Sequence, residues 1–172
     1  MRDPLLAPDL AVRSTQPLAR ALSLRTLPFH AHEILPSFGL YTFLNNFVAP
    51  SASSTFFPHT YSGLSDKGKK NWDVHIVSLL QSCFINTAAL SVIWLDRERW
   101  SMGPIERVWG YTGATGMVQA FSAGYFLWDV VISGTNLDVH GPGALAHAAS
   151  ALAVSLLGFV RTPQAQRLTV VG

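Results

Sequence analysis

The sequence predicts an all-α, membrane-embedded bundle of three or four spans, and three observations predict it. First, half of the 172 residues are hydrophobic (49%) and only 13% are charged, against about 25% charged in an ordinary soluble domain. Second, three runs contain no Asp, Glu, Lys or Arg: 74–95, 108–128 and 139–160. A helix of about 20 apolar residues crosses a hydrocarbon core of about 30 Å, so each run is long enough to span. Third, these runs carry no polar stripe every three to four residues, which a soluble helical bundle requires on its outer faces. A soluble all-α bundle is the competing reading.

Taken in order, residues 1–29 form a polar N-terminal tail, disordered or lying on a surface. The tail is no secretory signal, because Leu5-Leu6-Ala7 is broken at Pro8 before an apolar core of seven or more residues builds up. The domain itself is expected over 30–161, followed by a short polar tail at 162–172. Within it, 34–64 is uncharged but punctuated by Pro36, Pro50 and Pro58, with a loop-like 51–55. The best helix there is 36–49, with Pro36 early and Pro50 past the end, or a longer helix from Phe29 kinked at Pro36. It either spans or re-enters, and Asn45 and Asn46 then need partners inside the bundle.

A polar loop follows at 65–71. The second span, 72–95, opens at Trp72, a residue suited to the interface. Asn71 or Asp73 is placed to cap its free N–H groups. It closes at Trp94 and a charged loop, Asp96 to Arg99. The third span is expected at 105–133, with Pro104 in its first turn and Glu106 complementing the positive helix end. Gly110, Gly113, Gly116, Ala120 and Gly124 give it a face of small residues, which lets membrane helices approach closely. Gly134-Thr135-Asn136 turns into a fourth span, from Gly141-Pro142 to Val160. With four spans and a cytoplasmic N-terminus, the cytoplasmic side carries nine Arg and the opposite side Lys67, Lys69 and Lys70, as the positive-inside rule requires.

Charge and motif content exclude several functions. A net charge of +2 is too small to argue for nucleic acid, and the single cysteine, Cys83, allows neither an intrachain disulfide nor a cysteine zinc site. No phosphate loop, nucleophile elbow or zinc-protease motif is present, and neither a cofactor nor a metal site is expected. The chemistry-bearing candidates are ionisable residues inside the apolar runs. His75 lies near the start of the second span, Asp129 near the end of the third and His147 within the fourth. At about 1.5 Å per residue, antiparallel helices bring all three into one half of the membrane, roughly 5–10 Å from an interface. Ionisable groups at such depth face the bundle interior or mark a site. They are read as a lipid-binding cluster, Asp129 with His147 and His75 within reach. The bland alternatives are a wetted interfacial His75, an Asp129 that snorkels or pairs for stability, and a His147 hydrogen-bonded to a backbone carbonyl.

At these residues the sequence resembles the TLC-domain family, named for TRAM, Lag and CLN proteins, in a fungal branch. The resembling pieces are NWDVHIVS at 71–78, RVWGYTG at 107–113, GYFLWD at 124–129, GPG at 141–143 with His147-Ala148, and GFVR at 158–161. The resemblance implies a membrane protein of the endoplasmic reticulum or another endomembrane, concerned with lipid homeostasis and bound to a membrane lipid (sphingolipid, sterol or phospholipid). It also raises an enzymatic alternative, an acyl-CoA-dependent acyltransferase similar to ceramide synthase, with His147 as general base and Asp129 beside it. Ceramide synthases carry adjacent histidines where this chain has Ala146-His147-Ala148, so the expectation leans away from catalysis and no catalytic residue is assigned. A purely structural membrane protein is the third reading. The apolar helices of similar proteins continue past the arginine at 161, so the chain is expected to be a truncated or mis-spliced version of a longer domain. Small-residue faces left uncovered by absent helices point to self-association.

Overall fold

The computed structural model describes residues 5–160, with Val108 and Trp109 described in backbone only. The expected C-terminal tail at 162–172, and Arg2, Arg161 and Arg167 of the charge count, lie outside the described residues. Every regular element among the described residues is helical.

The chain opens with helix α1 (Asp9–Ala21), which continues through Pro17. Of the two expectations for the tail, disordered or surface-lying, this largely exposed helix matches the second, with Ala19 its buried residue. Ala19, Leu24 and Leu27 are buried in one apolar cluster with Ala120, Ala123 and Phe159. Burial of those side chains, at about 25 cal/mol per Å², gives the segment a reason to order that its Pro and Arg content hides. Helix α2 (Leu27–Phe43) follows, with Pro28 in its first turn and Pro36 inside it. The expected helix over 36–49 is therefore displaced towards the N-terminus. Pro50 does not end it: a π-helical turn, Leu44–Val48, leads into α3 (Ala49–Phe56), whose first turn holds Pro50. A proline in a first turn gives up no hydrogen bond, so 51–55 is helix rather than loop. Helix α4 (Pro58–Ser62) completes the connection.

Helix α5 (Asp66–Leu95) starts earlier than the sequence suggests, because Ser65 caps it: its Oγ accepts from Gly68 N at 3.2 Å. Short helices α6 (Arg97–Trp100) and α7 (Pro104–Trp109) follow. In α7, Pro104 takes the first turn and the Glu106 carboxylate accepts from Gly103 N at 3.2 Å. The expected third span is then interrupted. Thr112 takes an extended conformation and caps α8 (Gly113–Thr135), accepting at Oγ1 from Thr115 N at 3.3 Å. Its hydroxyl donates to Asp96 Oδ2 at 2.6 Å, tying the break to the end of α5. Asn136 ends α8 and begins α9 (Leu137–Leu157). Gly141, with φ +77°, kinks α9 one residue before Pro142. The regular part of α9 therefore begins where the Gly-Pro pair was expected to start a span.

Cross-helix contacts set the directions. Helices α2 and α8 run parallel: Ser37 faces Gly124, and the Tyr41 and Trp128 rings lie 6.2 Å apart. A Cβ on Gly124 would come within 2.7 Å of the Ile34 carbonyl oxygen, so only glycine permits this approach. Helix α5 runs antiparallel to both, with Tyr125 OH donating to Ser78 Oγ at 2.9 Å and the Phe84 and Phe121 rings 5.4 Å apart. Helix α9 is antiparallel to α8: Gln119 Nε2 donates to Ser155 O at 2.6 Å. One end of the bundle therefore gathers the starts of α2 and α8 with the ends of α5 and α9. The other end gathers the π turn, the start of α5, the end of α8 and the start of α9.

Among the described residues two helices are long and apolar enough to cross a membrane, Asp66–Leu95 and Leu137–Val160, and only 17% of the most apolar stretch of each is buried. Leu79, Phe84, Leu90, Ile93 and Trp94 on α5, and Val154 and Leu157 on α9, face outward. A helix buried in a soluble core would hide such side chains, and an exposed apolar face this size calls for a cover.

Candidate functional site

The polar chemistry collects at the two ends of the bundle. At the α2–α8 start, His30 and Glu33 share one face of α2 by their i, i+3 spacing. Both side chains are fully buried, and His30 Nδ1 lies 2.7 Å from Glu33 Oε2. With Nδ1 donating to the carboxylate, Nε2 accepts from the Tyr111 hydroxyl. Gly116 makes room for this, since a Cβ there would collide with the His30 and Tyr111 rings. Nearby, Thr26 Oγ1 donates to Phe159 O at 3.1 Å. The polar atoms left without a hydrogen bond here are Glu33 Oε1 and both ring nitrogens of His32. Sequence reasoning missed this end, although HAHE at 30–33 in an apolar stretch was the signal for it.

The other end holds a cavity of about 350 Å³. Asn45 and Asn46 from the π turn, Lys70 and Asp73 from α5, Asn136 and His140 line it. Asp73 is 7% exposed. Its Oδ2 accepts from Tyr61 OH at 2.8 Å, while its Oδ1 is buried without a partner. Asn45 Oδ1 and His140 Nε2 are likewise buried and unpartnered. Burial in the first place, and the Asp73 bond in the second, push the Tyr61 hydroxyl up to about 12, so it remains a donor at neutral pH. Asp73 thus does not cap α5, as one expectation had it; Ser65 does, and Asp73 turns inward about two helical turns later. Trp72 Nε1 donates to Ser53 Oγ at 3.0 Å, fastening α3 to α5 beside the cavity. Around the mouth, Lys67 pairs with Asp138 at 2.8 Å, whereas Lys70 donates to the neutral amide Oδ1 of Asn136 at 3.1 Å.

The three residues expected from sequence all fall at this end. Asp129 is half-buried on α8, its Oδ1 accepting from Ser133 Oγ at 3.3 Å, with His147 and His140 within electrostatic reach. His147 itself is exposed on α9. His75 is exposed on α5, and its Nδ1 lies 2.7 Å from the Asn71 carbonyl oxygen. His140 lies within electrostatic reach of both Asp129 and His75. Sequence reasoning passed over His140, which lies between the turn expected at 134–136 and the span expected from Gly141; it lies beside the kink at Gly141 and lines the cavity. The amide pair Asn45-Asn46, flagged as needing partners, was the signal for the opposite wall.

The TLC domain profile matches residues 71–171. The chain is 32% identical over 139 residues to an uncharacterized TLC domain-containing protein of Schizosaccharomyces pombe, covering 81% of this chain and 46% of that one. It is 31% identical over 130 residues to Topoisomerase I damage affected protein 4 of Saccharomyces cerevisiae, covering 74% and 44%. The matched region thus spans less than half the length of these relatives. No solved structure matches. Proteins of this family are membrane proteins linked to lipid metabolism. The profile begins at Asn71, inside α5, and takes in Asp73, Val74, Ile132, Asn136 and His140 of the cavity lining but not Asn45, Asn46, Pro50 or Lys70. The chain belongs to the TLC domain family.

Proposed function

We propose that the chain is an integral membrane protein of the endoplasmic reticulum or another endomembrane that binds a membrane lipid and serves lipid homeostasis. In this reading α2, α5, α8 and α9 all cross the bilayer, α8 and α2 as the inner pair. The observation that carries it is the polar cavity at the end of outward-facing apolar helices. Its unpartnered Asp73, Asn45 and His140 atoms call for a polar ligand, and the exposed apolar flanks of α5 and α9 suit acyl chains alongside. Asp129, His147 and His75 belong to the same end and supply its electrostatic field. Polar residues held in a membrane mark ligand pathways more often than decoration.

The test is capture of lipid by the full chain in microsomes fed a diazirine-bearing fatty acid. Irradiation is expected to attach lipid to α5 and α9 peptides, and Asp73→Asn to weaken the attachment. Absence of lipid adducts above those on an unrelated membrane protein would sink the reading. An acyl-transfer assay run on the same microsomes, wild type against His147→Ala, separates a binding protein from an acyltransferase: loss of N-acylation in the variant would establish the enzyme.

A further inference from the structure

The three orphaned atoms at the cavity have a common character. Asn45 Oδ1 and Asp73 Oδ1 only accept hydrogen bonds, and His140 Nε2 accepts in the tautomer that carries its proton on Nδ1. Leaving such groups buried and unmet is costly, most of all for a carboxylate. Tyr61 already occupies the other Asp73 oxygen, so a partner for Oδ1 has to come from outside the protein. The π turn adds a residue to α2 where Asn45 sits, and such single-turn bulges gather at functional sites. At the mouth stands an exposed cation, Lys70, whose hydrogen-bond partner is a neutral amide, while its neighbour Lys67 is taken by Asp138. A volume of about 350 Å³ is at the small end for ligand pockets, which run about 300–1,000 Å³. It fits a headgroup rather than a whole lipid.

We propose that this cavity selects a phospholipid headgroup bearing a primary ammonium, the ammonium resting on Asn45, Asp73 and His140 and the phosphate on Lys70. The inference rests on the lipid-binding reading and names the ligand class for its site. A primary ammonium offers three N–H donors to three acceptors. A trimethylammonium offers none, and a headgroup with phosphate alone brings a further anion towards Asp73. Charge-assisted bonds from ammonium to carboxylate are about twice as strong as neutral ones, so Asp73 dominates the choice. Lys70 contributes to affinity for any phosphate and not to discrimination among them.

The experiment uses the purified full chain in vesicles doped, in turn, with phosphatidylethanolamine, phosphatidylcholine or phosphatidylglycerol. Each probe carries a diazirine at the same acyl position. Phosphatidylethanolamine is expected to label about tenfold more than either of the others, equivalent to ~1.4 kcal/mol. Asp73→Asn is expected to abolish that preference. Asn45→Ala is expected to reduce it without altering the carboxylate, which guards against an Asp73 variant that fails to fold. Lys70→Met is expected to lower labelling by both anionic and zwitterionic probes alike. Equal labelling by all three lipids overturns the headgroup assignment and leaves the lipid-binding reading standing. Preference for phosphatidylglycerol overturns it in favour of a phosphate site. No labelling above background overturns both.

Discussion

The two polar ends of this bundle are built from similar residues and finished differently. At the α2–α8 start a histidine, a glutamate and a tyrosine satisfy one another: His30 lies between Glu33 and Tyr111, buried completely. At the far end an aspartate, an asparagine and a histidine line one cavity, and each leaves a buried atom without a hydrogen bond. The first arrangement is a structural joint, holding α2 against α8. The second is the candidate site. Neither buried ionisable groups nor unmet atoms distinguish the ends, since Glu33 Oε1 and both His32 ring nitrogens are unmet as well; the cavity of about 350 Å³ that Asn45, Asp73 and His140 share does.

The comparison breaks most readily at the closed end. His30→Ala leaves the buried Glu33 Oε2 without its hydrogen-bond donor and is expected to cost about 3 kcal/mol of stability, read as earlier thermal unfolding in detergent. Asp73→Asn, at the open end, is expected to cost under about 1 kcal/mol, because its Oδ1 satisfies nothing in the protein. Similar losses from the two variants would erase the distinction. Next in size is the α2–α8 seam between the ends. Gly124→Leu is expected to cost about 1–3 kcal/mol by forcing the helices apart, while Gly39→Ala on the exposed side of α2, with nothing within 4 Å of its new Cβ, is expected to be neutral or to gain up to about 1 kcal/mol. A smaller effect sharpens the open end. A double-mutant cycle of Asp129→Asn with His147→Gln is expected to show coupling of about 0.5–1 kcal/mol, and strict additivity would remove His147 from the cluster. The smallest effect is on pH dependence. Tyr61 ionises near 12 in the folded protein against an ordinary value of 10.0. Its bond to Asp73 therefore contributes fully below pH 10 and is lost as pH rises from 10 towards 12. Alkaline unfolding curves of wild type and Tyr61→Phe are expected to converge over that range; a constant gap would show that the phenol keeps its bond or never made it.

Much of the architecture was legible because it follows from composition over long windows. The charge-free runs marked α5 and α9, and Pro104 and Glu106 marked a helix start, although of the short α7 rather than of a span over 105–133; Gly141-Pro142, read as the start of a span, is instead a kink inside α9. What escaped was set by tertiary contact. Helix α1 is anchored through Ala19, in one apolar cluster with Leu24, Leu27 and Phe159, the last far away in sequence. The break between α7 and α8 depends on a bond from Thr112 to Asp96. Residue depth was legible for Asp129, His147 and His75 through helix order, and all three lie at one end. Which histidine lines the cavity was not, because that turns on the backbone at Gly141 (φ +77°) rather than on any side-chain pattern. The Asn45-Asn46 pair was visible as a polar anomaly, but its role required the π turn that displaces it.

The central claim is that the end lined by Asn45, Asp73 and His140 takes a polar ligand, while the end held by His30, Glu33 and Tyr111 is a structural joint. Cys83 is the chain's only cysteine, so replacing it with alanine gives a background in which single cysteines report access. Asn45→Cys at the cavity and Thr26→Cys at the fully buried closed end can then be exposed, in membranes, to a small water-soluble thiol reagent. The account predicts rapid modification at 45, slowed by added lipid, and none at 26 under the same conditions. Equal modification of the two positions, or protection of 45 alone, would contradict it.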